Sequence, residues 1–236
     1  MLETFRNLVI SWSINMRISH KYQFLYLAVP RTGSTSVRDA LDPISDVKSR
    51  YISMISDEHP YYHHIPYFEL IPIFESNGWD INQYHKFGVV RNPFDRVVSL
   101  YHHYCEKGNR WAEGKSFLYN VTRTARLRLL PKDSFEQFVA KLDTGTPMQM
   151  SASRFFSDQN GKFSADSVLK FEEVSDGYSR LAHELGFPED RRQLPMLNRS
   201  IDRQSYNTYY KSQEIVDQVS ELYADDMSRF GYTYEV

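Results

Sequence analysis

The chain has 236 residues, of which 25% are charged and 41% hydrophobic, and a formal net charge of −2. That composition is ordinary for a globular protein and argues against a disordered chain, and the near-neutral charge supplies no global field toward nucleic acid or an anionic membrane, so any anion site must be local. Cys105 is the only cysteine, which excludes an intramolecular disulfide and a cysteine-cluster metal site and fits a reducing compartment.

Residues 1–21 read as an N-terminal extension. Its apolar positions are interrupted by Glu3, Arg6, Asn7, Asn15 and Arg17 without a signal-peptide pattern. The apolar runs of the chain are too short to span a bilayer, so a cytoplasmic protein is expected. Residues 22–236 read as one domain. Gln23–Val29 is a short apolar run ending at Pro30, a buried strand. A turn over Arg31–Gly33 leads into a helix from Ser34 to about Leu41, stopped by Asp42-Pro43. A second helix runs from about Pro66 to Asn77 and exits through Gly78.

Lys86–Val90 is the next buried strand, followed by Asn92 as N-cap and Pro93 at the first helical position. Val97, Val98, Leu100, Tyr101 and Tyr104 then fall at helical spacing. Ser134 to Gln137 has capping-box form and opens a helix to about Leu142. Ser167–Phe171 reads as a strand and Asp176–Leu185 as a helix closed by Gly186. A last helix is expected from about Ser212 to Phe230, with Ile215, Val216, Val219, Leu222 and Tyr223 on one face. Strands alternating with helices predict an α/β fold, a mostly parallel sheet with helices on both faces.

Two strand–turn–helix units carry the chemistry. In Pro30-Arg31-Thr32-Gly33-Ser34-Thr35-Ser36, a strand delivers an arginine and a glycine to a hydroxyl-rich helix start. Backbone N–H groups and the helix dipole favour an anion there, and Arg31 adds a permanently charged fork. A Walker A loop needs a different glycine spacing followed by Lys-Ser/Thr, so this is not that loop. In Phe87-Gly88-Val89-Val90-Arg91-Asn92-Pro93, a second strand delivers Arg91 to a helix start, with Ser99 about two turns further on. The bland alternatives are a capped helix with a surface arginine, and an Arg91 paired with an acidic residue while Ser99 faces solvent. For Arg96 a salt bridge is the expected role.

Together, VPRTGSTS and FGVVRNPFDRVVSLY resemble the two nucleotide-binding motifs of the sulfotransferases. The closest type is the branch of carbohydrate sulfotransferases and small soluble members. The resemblance extends through Ser167-Val168-Leu169-Lys170-Phe171-Glu172, Leu194-Pro195 to Asn198-Arg199-Ser200, and Tyr223 to Gly231-Tyr232. It implies a P-loop-NTPase-like sulfotransferase fold and the co-substrate 3′-phosphoadenosine-5′-phosphosulfate (PAPS); the sequence has no His-x-x-x-His metal helix or dense carboxylate cluster, so catalysis without a metal is expected. It further implies that Arg31, Thr32, Gly33, Ser34, Thr35 and Ser36 bind the 5′-phosphosulfate end, with Arg91 and Ser99 on the 3′-phosphate. The usual motif has lysine where this chain has Arg31; arginine keeps the charge but changes the geometry at the bridging oxygen.

The attacking hydroxyl must lose its proton to a base. The family places a histidine, or in some branches a glutamate, between the motifs, and here the interval holds His59, His63, His64 and His85. His64, just before Ile65-Pro66 at a helix start, is the first candidate because its position is similar to that of the family's histidine, and the positive end of a helix would help keep it neutral. His63 is the second and is expected to point elsewhere. The expected reaction is in-line sulfuryl transfer to a hydroxyl-bearing acceptor, a glycan before a small metabolite, with no nucleic acid partner. The segment from Glu106 to Met150, carrying Trp111, Arg110, Lys115, Arg123, Arg126, Arg128 and Lys132, is a candidate acceptor surface or a solvated face. The competing readings are an ATP/magnesium phosphotransferase and a non-catalytic nucleotide- or glycan-binding module of the same fold. Oligomeric state is not encoded legibly.

Overall fold

The computed structural model describes residues 15–106, 133–195 and 205–235. The cationic stretch Arg110 to Lys132 and the segment Asn198-Arg199-Ser200 lie outside the described residues. In chain order the elements are β1 (Arg17–Ser19), β2 (Phe24–Leu27), α1 (Ser34–Leu41), β3 (Val47–Lys48), α2 (Tyr67–Ser76), β4 (His85–Val90) and α3 (Pro93–Tyr101). There follow α4 (Phe135–Val139), α5 (Ala152–Phe155), β5 (Ser167–Lys170), α6 (Val174–Glu184), α7 (Gln213–Leu222) and α8 (Ala224–Phe230). The expected α/β fold is interleaved along the chain as two compact units, Met1–Val90 with Arg154–Arg199, and Arg91–Ser153 with Ser200–Val236.

The first unit holds a five-stranded sheet in the order β3-β1-β2-β4-β5. β2, β4 and β5 are parallel, and β1 and β3 add an antiparallel edge. Phe24 through Val29 are all 0% exposed, as expected of an unbroken apolar run in a strand covered on both faces. Phe24, Tyr26, Ala28, Phe87 and Val89 pack with Val37 and Leu41 of α1 and with Tyr178 and Leu181 of α6. Gly88 has a packing role: a Cβ there would lie 2.5 Å from the Leu27 carbonyl oxygen and 2.6 Å from the Phe156 ring.

β1 falls inside the expected N-terminal extension, so the sheet begins before residue 22. Its charged residue disguised it. Arg17 is only 3% exposed because its Nε donates to Asp42 Oδ1 at 2.5 Å and its Nη1 to the Met16 carbonyl at 2.8 Å, which compensates the buried charge.

The second unit is helical. α3, α4 and α7 share a core of Phe94, Val97, Phe138, Ile215 and Val219 together with Tyr210 and Tyr223. The capping box forms as expected, Ser134 accepting from the Gln137 N–H while the Gln137 side chain accepts from Ser134 N–H. Two expectations change. α3 passes into a π-helical turn over His102–Glu106, which breaks the helical spacing and leaves Tyr104 43% exposed. The expected last helix is two, broken at Tyr223, whose hydroxyl donates to the Gln149 carbonyl at 2.8 Å. Beyond the break, buried Asp226 accepts from the Ala152 and Ser153 N–H groups at 2.8 and 2.7 Å. Among the described residues no helix is long and apolar enough to cross a membrane.

Candidate functional site

The parallel register Leu27↔Gly88↔Val168 brings the C-terminal ends of β2, β4 and β5 to one edge of the sheet, where open α/β sheets bind their ligands. β2 runs there into the loop Pro30–Gly33. Two residues of this loop have left-handed backbone, Arg31 at φ 67° and Gly33 at φ 75°. The first is strained for a residue with a Cβ, at about 1–2 kcal/mol, and strain of this kind collects at functional sites.

Gly33 is the N-cap of α1 and has no side chain with which to cap the first turn. The N–H groups of a helix start without a capping side chain at its N-cap suit an anion. A Cβ at Gly33 would come within 2.5 Å of the Phe171 ring, at the end of β5. That ring was invisible as a site element in the sequence, because no local signal links residues so far apart. Thr32 is 1% exposed and donates its hydroxyl to the Val29 carbonyl at 2.8 Å, so this side chain closes the turn. Ser34 is buried, and Arg31, Thr35 and Ser36 are half-buried.

The histidines of the interval now separate. His85 opens β4 at the opposite end of the sheet, with its Nε2 2.8 Å from Ser167 Oγ. His59 places Nε2 3.0 Å from the Lys48 carbonyl oxygen. His64 places Nδ1 2.7 Å from the carbonyl oxygen of Ala28, two residues before Pro30. A carbonyl only accepts, so Nδ1 carries the hydrogen, and in the neutral ring the basic nitrogen is Nε2. The His63 and His64 imidazoles meet edge to face with centroids 4.7 Å apart. Burial pushes the His63 pKa down, the Arg50 backbone opposing it, and its buried Nδ1 has no hydrogen-bond partner.

In the second unit Asn92 caps α3 as predicted, accepting from the Phe94 N–H at 3.0 Å, with Pro93 at the first position. Arg91 and Ser99 are each 7% exposed. Arg91 does pair with an acid, Asp95, its Nε at 2.6 Å and Nη2 at 2.5 Å from Oδ2. The i,i+4 spacing made this partner readable in the sequence, yet Asp95 was not among the candidate residues. Arg96, expected in a salt bridge, is 2% exposed; its guanidinium carbon lies 5.7 Å from the centre of the Tyr223 ring and its Nη2 3.4 Å from the Met148 carbonyl oxygen.

A model of the sulfotransferase family matches residues 15–233. The chain belongs to the sulfotransferase family. A search of curated proteins found no match. Membership makes the protein a PAPS-dependent transferase and implies an acceptor for the sulfuryl group. The first unit fits such a donor: a helix start whose N-cap is a glycine, with an arginine on the same turn. Among the described residues no group of three or more His, Cys, Asp or Glu side chains is placed to hold a metal ion.

Proposed function

We propose that the protein moves the sulfuryl group of PAPS to a hydroxyl of a carbohydrate acceptor, with His64 as the base. The observation that carries this reading is the hydrogen bond from His64 Nδ1 to the Ala28 carbonyl, which ties the imidazole to the strand feeding the Pro30–Ser36 loop. His64 Nε2 would take the acceptor proton as the new S–O bond forms and the bond from sulfur to the 5′-phosphate breaks. Charge gathering on the departing phosphate would meet the guanidinium of Arg31 and the N–H groups at the start of α1, placed before the reaction begins. The hydroxyls of Ser34, Thr35 and Ser36 would add donors to the same end, and Arg91 and Ser99 would take the 3′-phosphate. The carbohydrate acceptor rests on the likeness of the two motifs to the carbohydrate branch.

Thermal melting tests the donor. 3′-Phosphoadenosine-5′-phosphate (PAP) at a hundred times its dissociation constant adds about 2.7 kcal/mol to a native state that binds it. For a chain of this size that is a rise of roughly 5–10 °C. ATP with magnesium should give a smaller rise; a rise with ATP and magnesium alone would turn the reading to phosphoryl transfer. Arg91→Ala should weaken PAP by about 10–100-fold, the range of a charge-assisted contact, and leave AMP unchanged. Titration of both nucleotides against the variant checks this, and equal loss of both would remove Arg91 from the 3′-phosphate.

A further inference from the structure

The geometry points to Asp95 as the positioning residue of Arg91, holding one edge of the guanidinium so that the other is presented to a 3′-phosphate. The inference rests on the donor reading above. Arg91 and Asp95 stand four residues apart at the start of α3, and both Nε and Nη2 converge on the single oxygen Oδ2. A guanidinium is a rigid planar fork, so fixing the Nε–Nη2 edge also fixes where the Nη1–Nη2 edge faces.

Two ordinary duties of an acid in a first helical turn do not account for this contact. The capping acceptor is Asn92, which takes the Phe94 N–H. An acid serving only the helix dipole needs no particular partner, whereas this carboxylate turns back onto Arg91. The pair is also unequally covered, the Arg91 side chain 6% exposed and that of Asp95 21%. Asp95 gives this covered guanidinium a charged acceptor at the side of the fork. Phosphate binding then proceeds without the cost of immobilising a long side chain.

Asp95→Ala and Asp95→Asn, each titrated with PAP and with AMP, test the role. The amide keeps an acceptor oxygen for the Nε–Nη2 edge and loses the charge. The expected result is PAP binding about three- to tenfold weaker in Asp95→Ala, the scale of one unanchored long side chain. Asp95→Asn should stay at or above wild-type affinity, and AMP should be unchanged in both. Equal or tighter PAP binding in Asp95→Ala would make Asp95 a competitor of the phosphate and overturn the inference. So would parallel loss of AMP, which marks a structural role. A wild-type chain with no preference for PAP over AMP would overturn the donor reading itself, and the inference with it, a result distinct from a preference that Asp95→Ala leaves intact.

Discussion

Replacing His64 with alanine should lower turnover by about 10²–10⁴-fold, the usual worth of a positioned general base, while PAP affinity stays within a few-fold. An alcohol is a weak nucleophile at neutral pH, so the transition state needs its proton removed as sulfur is attacked. His64 suits that task by geometry. Its Nδ1 hydrogen is committed to the Ala28 carbonyl at 2.7 Å, which fixes the tautomer and the ring plane and leaves Nε2 as the basic nitrogen. The variant also leaves that carbonyl without its donor, at about 1 kcal/mol, or roughly 2–4 °C of melting temperature in a chain this size. Melts must accompany the kinetics, and a drop far beyond that scale would mean unfolding rather than lost catalysis. His63→Ala is the matched control. The two rings touch, but burial holds His63 toward its neutral form and its Nδ1 is enclosed without a partner. Its removal should therefore disturb the packing around His64 and cost turnover far less. If His63→Ala is the inactive variant and His64→Ala turns over normally, the base has been assigned to the wrong ring.

Several pieces of the fold were legible because their causes are local. Gly33 before a hydroxyl-rich run started α1 at Ser34, and Asn92-Pro93 started α3 with the expected cap. The Ser134 capping box formed, and Gly78, Gly186 and Gly231 each left a helix with positive φ. β2 and β4 were legible because a strand buried on both faces is apolar without interruption. What failed to show depended on distant partners. β1 is short and contains Arg17, whose burial makes sense only with Asp42 beside it, 25 residues along the chain. The break at Tyr223 interrupts an unbroken apolar face, and its hydroxyl is held by the Gln149 carbonyl, 74 residues away. The site divides in the same way. Arg31, Gly33 and Arg91 could be picked out by their strand–turn–helix setting. Phe171 under the loop and the Ala28 carbonyl behind His64 are contacts that only the folded sheet creates.

Phe171 makes the glycine of the loop the second severe test. Gly33→Ala should reduce turnover at subsaturating donor on the order of 10²-fold, the cost of displacing reacting groups by about an ångström. Two separate penalties act at this position. The backbone sits at φ 75°, where a residue with a Cβ loses about 1–2 kcal/mol. The new Cβ would also lie 2.5 Å from Phe171 Cε2 and 2.8 Å from Cδ2, far inside contact distance, so ring or loop must move. Overpacking of that kind costs roughly 1–3 kcal/mol where neighbours are tight. The chain relieves both penalties most cheaply by shifting the loop, since Gly33 is exposed and Phe171 half-buried. Such a shift carries the start of α1 and the Arg31 guanidinium away from the donor. The double variant Gly33→Ala, Phe171→Ala separates the two causes: it removes the collision and keeps the φ penalty. Donor affinity should then recover in part, whereas Phe171→Ala alone should weaken it only slightly, because the glycine still permits the loop. If Gly33→Ala binds and turns over PAPS like the wild type, the Pro30–Ser36 loop does not cradle the donor's phosphosulfate. Catalysis would then have to be sought at another edge of the sheet.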